Sequence, residues 1–265
     1  MVKLYTKEEV ELFLSEAERN MRLKSSQRVL KMTKAVGAYD EMPSLIIGDQ
    51  ILLAYNYIVV PYCKKGSLII FLLRALKKKI QLSHELKMHL LKQCIMAVHE
   101  LHTSSGMAHN DIKPDNYVIK DDGTLALIDF AHASWLADIL KHRTGTDKYN
   151  GPEKSKSDLN YSAFEGDMWS LGVTLFITQM VKMPYQCLYD NKYYIKIHRR
   201  DIAGFYTAHE ANEIPLELRQ MVFDCLHPTG CRRPSTTILM QSQFVSSIPS
   251  VASPEVLAEI QSILN

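Results

Sequence analysis

The chain has 265 residues, 46% of them hydrophobic and 23% charged, which provides apolar material for a globular core and argues against disorder. The formal net charge of +2 gives no reason to expect nucleic acid or an acidic membrane as a partner. Five scattered cysteines without a C-x-x-C pair indicate a reducing compartment and argue against a disulfide framework or a zinc site. Because the chain also lacks a secretory signal pattern and any apolar run of ~20 residues, we expect a cytoplasmic protein.

The first predicted element is an amphipathic helix. Thr6 and Glu9 form the capping-box pattern T-K-E-E, and apolar residues then recur at helical spacing up to Met21. Two apolar runs rich in β-formers follow, RVLKMTKAV and, after the turn-like GDQ, ILLAYNYIVV. The next stretch, PYCKKGS, is typical of a linker because Pro, Gly and Ser punctuate it. These patterns predict a small, strand-containing part that is followed by a linker.

The remainder of the chain is predicted to be mainly helical. A long helix with one apolar face begins at Ser83, and MWSLGVTLFITQMV, apolar on all sides, predicts a helix buried in the core. Between them, NYVIK and LALID are separated by DDGT and predict a hairpin. A last helix is expected with Ser253 as its cap and Pro254 at its first position.

Four polar residues surround the predicted hairpin: Asp111, Lys113, Asn116 and Asp129. A hairpin brings the residues before its first strand and after its second strand to the same end. Asn116 and Asp129 would then offer two hard oxygen ligands of the kind that Mg²⁺ takes when it also binds phosphates. Asp111 would be free to accept a hydroxyl proton, and Lys113 to stabilise charge on a transferring phosphoryl group. Turn propensity explains any one of these residues, but not all four at this spacing.

Ordered motifs from Lys3 to about Phe244 resemble those of the protein-kinase family. HNDIKPDN (109–116) is similar to its catalytic loop H-R-D-x-K-P-x-N, and IDFA (128–131) to the D-F-G that follows. Further along, GTDKYNGPE, GDMWSLGV and CLHPTGCRRPS resemble the family's activation-segment and helical-lobe motifs. VVPYCKKGSL looks like the hinge between the two lobes, and FLSEAERNMRL looks like the helix that carries a paired glutamate.

The resemblance implies an α+β fold with two lobes, a truncated β-rich N-lobe and a mainly helical C-lobe. Residues 1–60 would form a partial N-lobe with the family's third, fourth and fifth strands and its C-helix. Residues 61–66 would be the hinge, and 67–245 the C-lobe with the catalytic loop and the activation segment. Residues 246–265 would form a C-terminal tail helix.

The resemblance also implies the cofactors ATP and Mg²⁺ and a role for each matched catalytic residue. Asp111 would be the base that orients the acceptor hydroxyl, and Lys113 would contact the γ-phosphate. Asn116 would belong to the catalytic set and, together with Asp129, would hold Mg²⁺.

A further set of residues would bind the nucleotide. Lys3 would be the phosphate-contacting lysine and would pair with Glu16, although a solvated terminal lysine remains the alternative, and Lys7 is a weaker substitute. Val60 falls at the gatekeeper position, and the backbones of Pro61 and Cys63 fall at the adenine-facing hinge.

Four matched residues would have structural roles. Thr146 would steady Asp111 and Lys113, and Asp167 would anchor the backbone of the catalytic loop, unless it is only a helix cap. Glu153 and Arg233 would form an ion pair, although Thr146 and Glu153 are also ordinary polar loop residues.

The sequence departs from the family pattern in three places. Nothing ahead of Lys3 resembles the two strands and Gly-rich loop that cover the phosphates, so either the sequence is incomplete or the protein lacks this lid. Asn110 replaces the Arg of H-R-D, which predicts that activation-loop phosphorylation is not required. Ala131 replaces the Gly of D-F-G and restricts the backbone there.

The function implied is that of a serine/threonine protein kinase that transfers the γ-phosphoryl group of Mg-ATP to a protein hydroxyl. The alternative is a pseudokinase, a non-catalytic scaffold whose open N-lobe sheet edge would dock a partner. A small-molecule kinase is less expected, because GTDKYNGPE resembles the segment that builds a protein-substrate platform. The expected partner is a protein substrate, and neither nucleic acid nor a membrane is expected.

Overall fold

The computed structural model describes residues 1–24, 26–37, 45–47, 50–52, 56–141, 144–155, 160–186 and 192–265. The strands in chain order are β1 (Val2–Tyr5), β2 (Lys34–Val36), β3 (Leu45–Ile47), β4 (Gln50–Leu52), β5 (Asn56–Val59), β6 (Met107–Ala108), β7 (Tyr117–Ile119), β8 (Leu125–Leu127), β9 (Ser134–Trp135), β10 (Ile139–Leu140) and β11 (Tyr161–Ser162). The helices are α1 (Val10–Arg22), α2 (Leu68–Lys77), α3 (His84–Glu100), α4 (Ala163–Met180), α5 (Lys192–His198), α6 (Ile202–Ala208), α7 (Leu216–Cys225), α8 (Thr236–Gln241), α9 (Gln243–Ser247) and α10 (Pro254–Leu264).

The small lobe is an antiparallel sheet of order β1-β5-β2 with α1 packed against it. The predicted capping box is present, since the backbone N–H of Thr6 donates to the Glu9 carboxylate at 2.9 Å and a 3-10 turn leads into α1. Among the described residues, the local core contains the buried Tyr5, Phe13, Ala17 and Ile58, with Met32, Ala35 and Val60 packed against it.

The two apolar runs of the small lobe divide differently from the prediction. In RVLKMTKAV only Lys34–Val36 is a strand, while Leu30 donates its N–H to Leu127 of β8 at 3.0 Å. ILLAYNYIVV contains the last two residues of β4 and the whole of β5, and its residues 53–55 lie outside the described part of the chain. The first run is thus shared between the small-lobe sheet and the hairpin of the other lobe, a pairing over about one hundred residues that local pattern does not encode.

The helical lobe is built around α3 and α4. The Ser83 hydroxyl accepts from the N–H of Leu86 and caps α3, as predicted. In α4, 15 of the 18 residues are buried, which confirms the prediction of a core helix. The last helix, α10, has Ser253 as its cap and Pro254 at its first position, also as predicted.

The predicted hairpin is present as β7 and β8, with Tyr117 opposite Leu127 and Ile119 opposite Leu125. The backbone N–H of Ile128 donates to Asn116 O at 3.0 Å and extends the pairing by one step. The hairpin therefore places the residues before Tyr117 beside the residues after Leu127.

The α+β class, with a small strand-containing lobe and a larger helical lobe, is confirmed. The residue numbers proposed for the lobes, the linker and the tail remain a prediction. Within the residues that the structure describes, no helix combines the length and apolar character needed to cross a membrane.

Candidate active site

The loop ahead of β7 holds three polar side chains in one hydrogen-bonded cluster. The Nζ of Lys113 lies 2.7 Å from Asp111 Oδ2 and 2.7 Å from Thr146 Oγ1. The Thr146 hydroxyl donates to Asp111 Oδ1 at 2.8 Å, so both carboxylate oxygens of Asp111 are engaged. Asn116 Nδ2 donates to the backbone oxygen of Asp111 at 2.8 Å and to its Oδ2 at 3.1 Å. Residues 35 positions apart are thereby brought to one carboxylate.

Asp111 stays ionised in this environment. Burial by itself raises the pKa of its carboxyl, but the hydrogen bonds from Lys113 and Thr146 outweigh burial and hold the pKa below its usual value. The side chain is nevertheless almost fully buried, so any proton it accepts comes from a group that has entered the site. Asp111 has the properties of a positioned carboxylate base.

Asp167 anchors the backbone of this loop. Its Oδ2 accepts from the N–H of His109 at 2.7 Å and from His102 Nε2 at 2.9 Å, and its Oδ1 accepts from the N–H of Asn110 at 2.7 Å. The alternative of a helix cap is wrong, because α4 begins at Ala163 and the Ser162 side chain is its cap. Asp167 lies one turn further in, fully buried.

The buried carboxylate of Asp167 is charged for a physical reason. Burial raises its pKa, but the hydrogen bond from His102, the nearby imidazoles and the donated N–H of His109 outweigh that effect, so the pKa lies below its ordinary value. His109 itself is packed, with its ring 5.1 Å from that of Phe130 and its Nε2 3.0 Å from the backbone oxygen of Ile128.

On the small-lobe side, Lys3 connects two carboxylates. Its Nζ lies 2.7 Å from Glu16 Oε2 and 3.0 Å from Asp129 Oδ1, whereas Lys7 lies in the turn before α1. Burial lowers the pKa of Lys3, but the contacts with Glu16 and Asp129 outweigh it and raise the pKa. Burial likewise raises the pKa of Asp129, but the charge of Lys3 outweighs it and holds the pKa below its usual value. The three side chains therefore form a charged chain between the lobes.

A cavity of about 210 Å³ lies where the two lobes meet. Its lining includes five of the predicted site residues: Lys3, Glu16, Val60, Asn116 and Asp129. Pro61 and Cys63 are not among the lining residues; they follow β5 in the linker. Asn20, Leu30, Ile128 and Phe130 also line the cavity and were not predicted as site residues.

The cavity offers oxygen ligands for one hard cation. Asn116 uses its Nδ2 on Asp111, which leaves its Oδ1 as an acceptor, and Asp129 uses only Oδ1 on Lys3. Among the described residues no three His, Cys, Asp or Glu side chains converge on a metal position. Two protein oxygens fit Mg²⁺ that completes its octahedron with water and phosphate oxygens, and they do not fit a site built entirely from protein.

The predicted ion pair between Glu153 and Arg233 is present. The guanidinium donates to both carboxylate oxygens at 2.7 Å, its Nε donates to His227 O at 2.9 Å, and the Arg233 side chain is completely buried. A bidentate, buried pair of this kind joins the segment after Thr146 to the end of the helical lobe.

The two departures near the loop have direct structural consequences. Asn110 has a positive φ of 63° and donates from Nδ2 to His132 O and Ser134 Oγ, each at 2.9 Å. The backbone oxygen of Ala131 accepts from the guanidinium of Arg19 on α1. Neutral hydrogen bonds and one helix residue thus hold the segment after Asp129.

Two further residues, which hold the site from outside the cavity lining, were also missed from the sequence. Tyr5 donates its hydroxyl to Glu16, and Arg19 reaches Ala131. Arg19 was detectable in principle, because it lies three residues after Glu16 and therefore on the same face of α1. Nothing local identifies Tyr5, since its contact depends on how β1 packs on the helix.

Comparison with known proteins shows similarity to protein kinases. A family profile described as protein kinase domain matches residues 2–245. The serine/threonine-protein kinase chk-2 of Caenorhabditis elegans is 30% identical over 196 residues, 72% of this chain and 40% of that protein. The cell cycle serine/threonine-protein kinase CDC5/MSD2 of Saccharomyces cerevisiae is 29% identical over 222 residues, 79% of this chain and 30% of that protein. CBL-interacting serine/threonine-protein kinase 2 of Arabidopsis thaliana is 30% identical over 208 residues, 74% of this chain and 43% of that protein. The chain spans less than half of the length of each of these relatives.

Proposed function

This chain belongs to the protein kinase family, and from that premise we propose that it transfers the γ-phosphoryl group of ATP to a serine or threonine hydroxyl of a protein. Members of the family generally use ATP and Mg²⁺ and act on protein substrates. The observation that carries the proposal is the polar cluster in which Asp111, Lys113 and Thr146 contact one another within 2.8 Å. The names of the similar proteins support serine or threonine as the acceptor.

Asp111 is proposed as the base of the reaction. The contacts of Lys113 and Thr146 keep its carboxylate ionised and fix its orientation, so that it accepts a hydrogen bond from an incoming hydroxyl and then its proton. Lys113 lies 2.7 Å from this carboxylate and carries the positive charge that a transferring phosphoryl group requires. The lowered pKa of Asp111 supports this role because the base is already deprotonated at neutral pH.

The nucleotide is proposed to occupy the cavity between the lobes. Asn116 and Asp129 would hold Mg²⁺, which supplies charge neutralisation on the phosphates when it is bound. Lys3, oriented by Glu16, would donate to phosphate oxygens, and Val60 would face the base. The proposed contact of the Pro61 and Cys63 backbones with the adenine has weaker support, since neither residue lines the cavity.

The proposed roles of the structural residues follow from their contacts. Thr146 orients Asp111 and Lys113, Asp167 fixes the loop backbone, and the pair of Glu153 and Arg233 supports the segment that would receive the protein substrate. The alternative of a non-catalytic scaffold has less support. Asp111, Lys113, Asn116 and Asp129 are all present, and folding by itself does not require all four.

Compartment and partner are further parts of the proposal. The four cysteines of the described chain are unpaired, which supports the cytoplasm as a reducing location. β1 is an outer strand of its sheet, with Val2 and Leu4 exposed, so a partner strand could dock along it.

The proposal is tested by thermal unfolding in ATP, with and without Mg²⁺, of this chain and of Asp129→Asn. A ligand at a hundred times its dissociation constant stabilises the folded form by ~2.7 kcal/mol. We expect an Mg²⁺-dependent increase in Tm that Asp129→Asn removes, and phosphate transfer from ATP to a mixture of serine and threonine peptides. An unchanged Tm at every ATP concentration would contradict the nucleotide site and favour the scaffold.

A further inference from the structure

The second helix, α2, presents apolar side chains on both of its faces. Leu68, Phe71, Leu72 and Ala75 are buried against the helical lobe. On the other side, Ile70, Leu73 and Leu76 are 46%, 52% and 57% exposed. A helix that is apolar all round is normally covered on every side, and a contiguous exposed apolar stripe marks an interaction site.

The same helix lies in a stretch of the chain that carries charge of only one sign. Residues 50–84 contain six Lys or Arg and no Asp or Glu, in a protein whose net charge is only +2. Three of these cations are used internally, since Arg74 and Lys78 donate to the last carbonyls of α10 and Lys65 donates to Asp121 O. The nearby carboxylate of Glu259 accepts hydrogen bonds from the backbone N–H and the hydroxyl of Ser83.

Two of the three remaining cations border the stripe. Lys77 lies four residues after Leu73 and seven after Ile70, which puts it on the same face of α2. Lys79 follows the helix in a left-handed conformation, with φ 56°. Both are exposed, and within the described chain neither ammonium group makes a hydrogen bond or an ion pair. Uncompensated positive charge beside exposed apolar side chains is a pattern that negative charge on a partner complements.

We propose that this α2 surface, formed by Ile70, Leu73, Leu76, Lys77 and Lys79, docks an acidic amphipathic helix of a partner protein. Apolar side chains of the partner at positions i, i+3, i+4 and i+7 would pack on Ile70, Leu73 and Leu76. Glutamates or aspartates that flank those positions would face Lys77 and Lys79. The surface is distinct from the site of phosphoryl transfer, and the proposal does not depend on that activity.

A lipid surface fits this geometry less well. A membrane-bound amphipathic helix buries its apolar face about 5–10 Å into the interface. About half of each of the three side chains is already covered by the protein, and α2 itself packs on α10 and on the turn Pro114–Asn116. The exposed stripe of α2 is therefore shallow. It is suited to packing against a second helix and does not protrude far enough to insert into a membrane.

The test is a selection from a displayed library of amphipathic helical peptides that share an i, i+3, i+4, i+7 apolar pattern and vary from all-Glu to all-Lys flanks. We expect the intact chain to enrich peptides with acidic flanks. By fluorescence anisotropy, a selected peptide should bind Leu73→Asp and Lys77→Glu at least roughly tenfold more weakly, whereas Ile238→Asp, at an exposed position of α8, should not change its affinity. The effect of Lys77→Glu should shrink in 1 M salt, because screening weakens exposed charge pairs.

Two results would overturn the proposal. One is the absence of enrichment for acidic flanks, or enrichment that the α2 substitutions leave unchanged. The other is binding of the intact chain to vesicles of phosphatidylcholine and phosphatidylserine that the same substitutions abolish, which would identify a lipid surface. Thermal unfolding of each variant, with Lys77→Ala as a milder change, separates loss of docking from loss of folding.

Discussion

The two halves of the candidate site are held in different ways. In the helical lobe, the loop with Asp111 is tied to Asp167, which is fully buried and accepts three hydrogen bonds. In the small lobe, Lys3 is 38% exposed and depends on contacts between side chains alone, with Glu16 and Asp129. One half is set by a buried polar network, and the other by an ion-pair chain at the edge of solvent.

The difference follows from what surrounds each half. α4 carries Asp167 through a core with buried side chains on every face, so its position is determined when the lobe folds. Within the described residues, β1, β5 and α1 share a core of four buried apolar residues, and α1 reaches the segment after Asp129 through Arg19. The comparison teaches that the proposed base, Asp111, is placed by the folding of the helical lobe. The proposed phosphate-contacting residue, Lys3, is placed by ion pairs of a partly exposed side chain and is the more adjustable of the two.

The largest expected effect is on the chemistry of the helical-lobe half. Asp111→Asn removes the base while it keeps the shape of the side chain, and should lower the rate of transfer ~10²–10⁴-fold with nucleotide binding retained. Single-turnover transfer and the ATP-dependent Tm of the same sample measure the two quantities. Asp115→Asn, an exposed carboxylate of the same turn, is the matched control and should transfer at the parent rate. Equal rates for both variants would contradict the assignment of the base.

The second-largest expected effect is on the stability of the helical-lobe half of the site. Asp167→Ala leaves two buried backbone N–H groups and His102 without their acceptor, so the free energy of unfolding should fall by ~3–5 kcal/mol. Urea unfolding measures it, with the exposed Asp121→Ala as control. A loss below ~1 kcal/mol, the range of a surface ion pair, would mean that the two halves are not held differently.

A smaller and different effect is expected in the small lobe. Lys3→Met should weaken Mg-ATP binding about tenfold, the loss of one charge-assisted contact. It should lower the unfolding free energy by less than Asp167→Ala does, because Lys3 and Asp129 are partly exposed and the buried Glu16 keeps its hydrogen bond from Tyr5. Lys34→Met, exposed on β2 of the same sheet, is the control for both measurements. If Lys3→Met destabilised the chain as much as Asp167→Ala, the contrast between the halves would fail.

The smallest effect is on the titration of Asp129. Because Lys3 helps hold the pKa of this carboxyl below its usual value, Lys3→Met should move the pKa of Asp129 upward. The stability that this ionised carboxylate contributes is fully present above the unfolded pKa of about 3.9 and is lost as pH falls through the lower folded pKa. The stability advantage of the parent over the variant should therefore be complete above about pH 4 and decline below it. NMR titration of the Asp129 carboxyl carbon measures the change in pKa. A downward change, or none, would show that a group other than Lys3 holds this pKa below its usual value.

Much of the secondary structure could be predicted from local sequence patterns. The capping box at Thr6, the cap of α3 at Ser83, the buried α4 and the hairpin were all predicted, because each depends on residues that are near neighbours in sequence. The hairpin also predicted that Asn116 and Asp129 would lie at the same end of the two strands, and both line the cavity.

What local pattern did not reveal depends on packing between distant segments. The contacts of Tyr5 with Glu16 and of Arg19 with Ala131 exist only once α1 is seated against β1 and the loop after β8. The position of Asp167 inside α4, one turn beyond the cap, is likewise visible only when the first turn of the helix is known.

The sequence by itself determined the fold class, the family and the polar residues that gather around the cavity, because these follow from periodicity, caps and motif order. Only the tertiary structure decided that Pro61 and Cys63 lie outside the cavity lining, that RVLKMTKAV is shared between two lobes, and that one face of α2 stays uncovered. The reason is physical: local hydrogen bonding and side-chain direction are set within about one helical turn, whereas burial depends on which distant surface arrives to cover a side chain.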